Sequence, residues 1–242
     1  MATKLRKTTF ENNVIYMVRP TADALGLLDE MHKPTDDHDR MGLLIGDAGI
    51  GKTTAGRLFA SKHRDVVYIN LPPALAMKAP SAPVALMEGA LGLAQTSRFV
   101  WPRLQALAHE LIARPRTILL DTAHRLTYDQ VDVFRFIHDE ARIPVVILSV
   151  PALIPLFDRR PELNTRLRIF LKLKPATRDE IGELLPEFPA DTVDDVYERT
   201  GGRMREVLQL ARHMRNLKIS PEKLTPEHTS RIARIFTVRT AA

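Results

Sequence analysis

The 242-residue chain has no cysteine, which excludes disulfides and the thiolate-rich class of zinc sites. It has no run of 18 apolar residues, so no segment is long enough to cross a bilayer as a helix. Its opening stretch, MATKLRKTTFENN, lacks the apolar core of a secretory signal, and a cytoplasmic location is expected. The eight histidines show no close ligand spacing such as HxxxH, so a structural metal is not expected. Acidic residues are scarce in one region. Arg199 to Ala242 holds three Asp/Glu against ten Lys/Arg, which accounts for the net charge of +6 and leaves the remainder near neutral. Such a surplus suits contact with a polyanion, whose counterions are released when its phosphates are neutralised, and equally suits a solvated helical surface.

What is present is a chain that is 45% hydrophobic, ample for a packed interior. Residues 46 to 53, Gly46-Asp47-Ala48-Gly49-Ile50-Gly51-Lys52-Thr53, satisfy GxxxxGK[ST] in full. Met41 to Ile45 before them has the composition of a buried strand, and Thr54 to Ala60 after them is helix-compatible. In that strand-loop-helix setting the glycines let the backbone close on phosphate oxygens, and the helix N-terminus favours an anion. Lys52 adds positive charge, and Thr53 offers a hydroxyl to Mg²⁺. The expected ligand is ATP with Mg²⁺, held by residues 46 to 53 and by Thr54.

Three regions are expected: an N-terminal arm and helix over 1–39, an α/β core over 40–174, and a basic helical lid over 175–242. Asn13 to Val18 is read as a short strand or an extended segment, and Thr21 as the N-cap of a helix that stops before Pro34. Apolar runs at 66–71, 117–120 and 145–148 alternate with helical stretches at 84–93 and 102–113, the pattern of a parallel sheet covered on both faces, with 171–173 as a last strand. Val131, Phe134 and Ile137 have the helical spacing of core residues, and Trp101 beside Phe99 is read as core packing, with stacking on a base as the alternative. After Pro175 only helix signals remain: a capping box at Thr177–Glu180, a helix from Asp191 to Gly201-Gly202, one from Met204 to Leu217, and a start at Thr225-Pro226-Glu227.

A phosphate loop needs an acidic residue at the end of a neighbouring strand to hold Mg²⁺ directly or through water, and Asp121 closes the run 117–120. The next residue is Thr122, whose hydroxyl is no base near neutral pH, so tight nucleotide binding with slow hydrolysis is expected. Asp129 or a partner protein is the alternative source of a base.

The phosphate loop, the run Leu120-Asp121-Thr122-Ala123-His124-Arg125-Leu126 and the run Thr200-Gly201-Gly202-Arg203-Met204-Arg205 resemble an AAA+ ATPase of the initiator-like clade. Compact size and element order are most similar to the DNA-transposition regulators MuB, TnsC and TniB, over about residues 20 to 235. The resemblance implies an AAA+ P-loop core with a parallel sheet, followed by a small all-α lid. It implies that Lys52 and Thr53 bind phosphates and Mg²⁺, that Asp121 is the Walker B acid with Thr122 in the usual glutamate's place, and that Ser149 is the polar sensor. His124 in this motif helps hold its loop. Arg166 becomes the finger reaching a neighbouring subunit, with Arg168 as second candidate, and Arg205 the lid sensor, with Arg203 nearby. It further implies a ring or helical filament on double-stranded DNA, contacted without sequence preference through Lys78, Ser97, Arg98 and Arg103. A transposase and a target-selection protein would be partners. Two rival readings stand beside it: a motor or loader of the ExeA or helicase-loader type, and a nucleotide-gated protein scaffold that binds no DNA.

Overall fold

Uninterrupted apolar runs such as Met41–Ile45 and 145–148 leave no polar face, so they are stable only as strands covered on both sides. The computed structural model describes residues 7–10, 13–34, 40–72, 79, 81–217 and 219–236. A hairpin of β1 (Lys7–Phe10) and β2 (Asn13–Tyr16) comes first, then helix α1 (Arg19–His32). The alternating series follows: β3 (Met41–Ile45), α2 (Lys52–Lys62), β4 (Val66–Asn70), α3 (Ser81–Leu91), α4 (Val100–Ala113), β5 (Thr117–Asp121), α5 (Tyr128–Ala141) and β6 (Val145–Ser149). Two short helices, α6 (Ile154–Asp158) and α7 (Pro161–Asn164), lead into β7 (Leu167–Lys172). Among the described residues the helices α8 (Arg178–Leu184), α9 (Ala190–Thr200), α10 (Met204–Arg215) and α11 (Pro226–Phe236) follow.

By its internal contacts the chain divides into two units. The first comprises Asp23–Gly46 and Lys52–Leu173. Its five parallel strands lie in the order β4-β5-β6-β3-β7. Every residue of β3, β5 and β6 is buried. Side chains such as Leu107, Leu111, Val131, Phe134 and Ile137 from α4 and α5 are fully buried and pack in the same core as Ile118, Leu120 and Val145. Each such side chain contributes about 1.5–3 kcal/mol by leaving water. Burial of Val131, Phe134 and Ile137 agrees with their spacing. Trp101 and Phe99 do not meet expectation, being 55% and 60% exposed, with Trp101 tilted against Phe136 at 5.2 Å between ring centroids.

Strand β7 begins at Leu167, ahead of its expected start at Leu171. It is the sheet edge, half of its side chains face solvent, and its alternating Leu-Arg-Ile-Phe-Leu-Lys therefore lacks the continuous apolar signature of the inner strands. Helix α3 closes at Leu91 because Gly92 takes a left-handed φ of +68°. Strand β1 carries no apolar run and exists through its antiparallel pairing with β2.

The second unit comprises the segment through Ala22, the loop Asp47–Gly51 and everything from Lys174. Its helices bury a separate core of Ile181, Val196, Val207, Ala211 and Met214. Thr177 and Glu180 form the expected capping box, the Thr177 N–H donating to Glu180 Oε2 at 2.7 Å. Gly201 and Gly202 both have positive φ, and a Cβ on Gly202 would lie 2.1 Å from the carbonyl oxygen of Ala176. Ala176 in turn donates its N–H to the Gly202 carbonyl at 3.1 Å, so the backbone contact leaves no room for a side chain. Gly202→Ala should therefore destabilise this unit by roughly 3 kcal/mol or more, read as a lowered urea midpoint, while Gly201→Ala, with open space around it, should lose about 1 kcal/mol. Equal midpoints for the two variants would show that the contact gives way.

Candidate functional site

The order of strands sets the site. The sequence reading treats the strand of Asp121 as a neighbour of the phosphate-loop strand, but β6 intervenes between β3 and β5. Two strand spacings, roughly 10 Å, separate the ends of β3 and β5. The intervening strand puts Ser149 beside the end of β3, and the Gly46 N–H donates to the Ser149 carbonyl at 3.1 Å. The Ser149 hydroxyl is 1% exposed and has no hydrogen-bond partner among the described residues. A buried hydroxyl at this place has hydrogen-bonding capacity that fits a polar ligand.

Lys52 opens α2, is 8% exposed, and donates through Nζ to the Gly46 carbonyl at 2.6 Å. Thr53 and Thr54 are exposed in the first helical turn, which holds no acidic residue. A helix N-terminus bearing an ammonium and two hydroxyls without a carboxylate is a fit for an anionic phosphate and for the oxygen-preferring Mg²⁺ beside it.

Asp121 ends β5 and is 2% exposed. Both of its oxygens are engaged: Oδ1 accepts from the Thr122 N–H at 2.7 Å, and Oδ2 from the Tyr68 hydroxyl at 2.6 Å. Burial, then the hydrogen bond and charge of Asp121, push the Tyr68 phenol well above its ordinary pKa, so it stays protonated and donates. Thr122 has a φ of 63°, a left-handed conformation that a β-branched residue adopts under strain of about 1–3 kcal/mol. Its hydroxyl donates to Asn70 Oδ1 at 3.0 Å. From the sequence, Tyr68 and Asn70 are read only as part of the apolar run 66–71, with no role in the site. Their signal is only their place in the strand that pairs with β5, Asn70 in register with Asp121 and Tyr68 two residues earlier. His124 follows in a short 3₁₀ turn, and burial, then Arg125 and Lys52, hold its pKa below the ordinary value. Asp129 lies exposed in the first turn of α5.

In the second unit, Gly49 and Gly51 have φ of +82° and +115°. Arg205 donates its N–H to the Gly49 carbonyl at 3.0 Å, and a Cβ on Gly49 would meet Arg205 Cβ at 2.9 Å. Glycine is thus required there by the approach of α10 as well as by the turn. Arg203 is ion-paired with Glu206.

Arg166 precedes β7 and its guanidinium engages Asp139, at 3.3 Å from Nε to Oδ1, where Arg135 also binds. Arg168 lies in β7 and pairs with Glu30 at 3.3 Å. Of the four expected DNA contacts, Lys78 lies outside the described residues. Ser97 accepts from the Phe99 N–H at 3.1 Å, and Arg98 is exposed over the Phe99 ring. Arg103 is 5% exposed and locked to Glu88 by two guanidinium hydrogen bonds. That buried pair withdraws Arg103 from any surface a polyanion meets, since breaking it would leave an uncompensated buried carboxylate.

A family model described as an AAA domain matches residues 35–157. No curated protein sequence matches the chain. Among solved structures it is similar to Cdc6p of Pyrobaculum aerophilum, at 17% identity and a TM-score of 0.70, covering 97% of this chain and 73% of that one. It is similar to the ORC2 protein of Aeropyrum pernix in ADPNP–ADP complexes, at 15% identity and a TM-score of 0.59, covering 92% and 67%. The ORC1 protein of Aeropyrum pernix in complex with DNA gives 19% identity and a TM-score of 0.59, covering 89% and 64%. These likenesses establish an α/β P-loop core followed by a helical region.

Removing the Tyr68 hydroxyl frees Asp121 Oδ2 for a cation. In Tyr68→Phe the apparent affinity for Mg²⁺ in the presence of ATP should rise roughly fivefold, the equivalent of about 1 kcal/mol. An unchanged Mg²⁺ titration would show that Tyr68 does not compete for the carboxylate.

Proposed function

The chain belongs to the AAA domain family, and on that premise we propose that it is an ATP-gated protein of the initiator and loader kind that assembles on double-stranded DNA. The observation that carries the reading is the presence, in one unit, of buried Lys52 at the start of α2 and buried Asp121 at the end of β5. Lys52, Thr53 and Thr54 hold the phosphates of ATP, and Thr53 and Asp121 supply oxygens for Mg²⁺. The bound ion would neutralise phosphate charge there. Support for a nucleotide ligand comes from the ADPNP–ADP complexes of the Aeropyrum ORC2 protein, and for DNA from the Aeropyrum ORC1 complex. The surplus of basic over acidic residues from Arg199 onward supports a phosphate-backbone contact. Exposed Arg98, with Phe99 and Trp101 beside it, adds a cationic and aromatic surface in the first unit.

Arg166 takes the finger role toward another subunit. Met41 donates its N–H to the Arg166 carbonyl, which puts Arg166 at the N-terminal end of β3, roughly 13 Å of strand away from Ile45 at the other end. An arginine so placed serves a phosphate only across an interface, after exchanging its Asp139 partner. Arg205 is assigned to the lid sensor because Glu206 already engages Arg203. Ser149 is assigned to the γ-phosphate because its buried hydroxyl has no hydrogen-bond partner among the described residues.

One observation favours a second reading within the family. Thr122 offers no carboxylate to polarise water, and its hydroxyl is turned to Asn70, so ATP serves better as an assembly ligand than as fuel. That suits a DNA-transposition regulator of the MuB, TnsC or TniB kind, acting on a transposase and a target-selection protein from a cytoplasmic location.

Imaging the protein on double-stranded DNA with ATP, ADP or no nucleotide, with phosphate release followed in the same samples, tests both. ATP-dependent assemblies are expected, weakened by salt and lost in Lys52→Ala. DNA assemblies that survive in Lys52→Ala would overturn the gating. Arg166→Ala should keep ATP binding by the monomer and lose assembly, and intact assembly would remove Arg166 from the interface. Thr122→Glu should raise phosphate release by at least about tenfold, below the usual range for a positioned base. No rise would place the base elsewhere, with Asp129 next to be replaced.

A further inference from the structure

We propose that His32, His63 and Asp65 form a binding site for one divalent transition-metal ion, with Zn²⁺ the fitting class. The three residues come from the end of α1 and from the connection between α2 and β4, and each offers a ligand atom within 4.8 Å of the others. His32 Nε2 lies 3.5 Å from Asp65 Oδ2. That is longer than a hydrogen bond. It matches the edge of a tetrahedron whose ligands stand about 2.0–2.1 Å from zinc, roughly 3.3 Å. A cation between the two atoms satisfies both lone pairs.

The surroundings orient the ligands. His32 Nδ1 lies 2.8 Å from the hydroxyl of Thr117, a residue 3% exposed. With Nδ1 as the donor, Nε2 presents its lone pair on the Asp65 side, the arrangement by which a partner on one ring nitrogen prepares the other for a metal. The His63 ring is stacked on Phe59 with centroids 4.3 Å apart, and stands edge-on to His32 at 4.7 Å. Phe59 is itself buried, so the stack rests on a fixed surface. The Asp65 backbone is held too, its carbonyl accepting from the Thr117 N–H at 2.9 Å. Its carboxylate is 59% exposed, which gives the ion an entry path and leaves a fourth position for water. Two imidazoles and one carboxylate select zinc and its late first-row neighbours over Mg²⁺, which prefers oxygen ligands.

This site is separate from the one at Lys52 and Asp121. Thr117 and Val66 are the first residues of β5 and β4, whereas Asp121 and Asn70 are the last. Parallel strands of this length put the two ends roughly 13 Å apart. The ion therefore clasps α1 to the entry of the β4–β5 pair and does not touch phosphate.

The test uses the full chain, stripped with chelator and kept free of nucleotide, in a buffer containing Mg²⁺ to fill oxygen sites. Calorimetric titration with Zn²⁺ should give one ion per chain. Co²⁺ should produce the visible absorption of a tetrahedral site. His63→Ala and Asp65→Asn should each weaken Zn²⁺ binding more than about tenfold and abolish the Co²⁺ band, while the exposed His109→Ala binds as the parent does. Asp65→Asn changes an exposed group and preserves the fold, so its loss of binding reports the ligand itself. Absence of stoichiometric Zn²⁺ in the parent chain, or parental affinity in both His63→Ala and Asp65→Asn, overturns the site.

Discussion

Burial of the sheet on both faces governs where chemistry can occur in the first unit. No residue of β3, β5 or β6 reaches solvent along its length. An unpaired polar side chain there would lose its hydration without compensation. Polar groups are therefore driven to strand ends, and because the strands are parallel those ends form two separate edges. Ser149, Asp121 and Asn70 share the C-terminal edge, and Thr117 with the His63–Asp65 connection lies at the other. One topological fact thus yields two polar clusters with different donor sets, oxygens and an ammonium at one edge and imidazoles at the other.

The C-terminal edge is closed by its own hydrogen bonds. Asp121 is a buried carboxylate made tolerable by the Tyr68 hydroxyl and the Thr122 N–H. Thr122 reaches Asp121 and Asn70 only from a left-handed backbone, so local strain is offset by two charge-assisted or polar contacts. Lys52 is satisfied by the Gly46 carbonyl. Tyr68 and Asn70 both stand on β4, so the hydrogen bonds of Asp121 and Thr122 tie the end of β5 to its neighbouring strand.

Arginine placement follows from the same logic of partners. Arg103 lies on a helix face that meets Glu88, and the pair is buried. Arg166 stands at a strand entry with solvent on one side, so its pairing with Asp139 is part-exposed and exchangeable. Arg98 has only an aromatic ring against it among the contacts described. Three arginines of equal formal charge thus differ in what each is able to meet, and the difference is set by the helix or edge that carries it.

The phosphate loop, the inner strands, α5 and the helical region after Lys174 were legible in the chain because each rests on a local signal: fixed glycine spacing, an unbroken apolar run, a 3.6-residue period, or a capping box. The full extent of β7 and the β1–β2 hairpin were not, since an edge strand and a hairpin draw stability from pairing rather than from composition. Trp101 does not reach the core, and its apolar character says nothing of which side of α4 meets it. Tyr68 and Asn70 gained meaning only through strand register, and His32 met His63 and Asp65 only through packing between segments distant in the chain. By itself the sequence determined the elements and the loop, whose causes lie within a few neighbouring residues. The tertiary structure alone decided the strand order, the pairing of Arg103 with Glu88 and the two polar edges, because those depend on which distant side chains the buried sheet brings within a few ångströms.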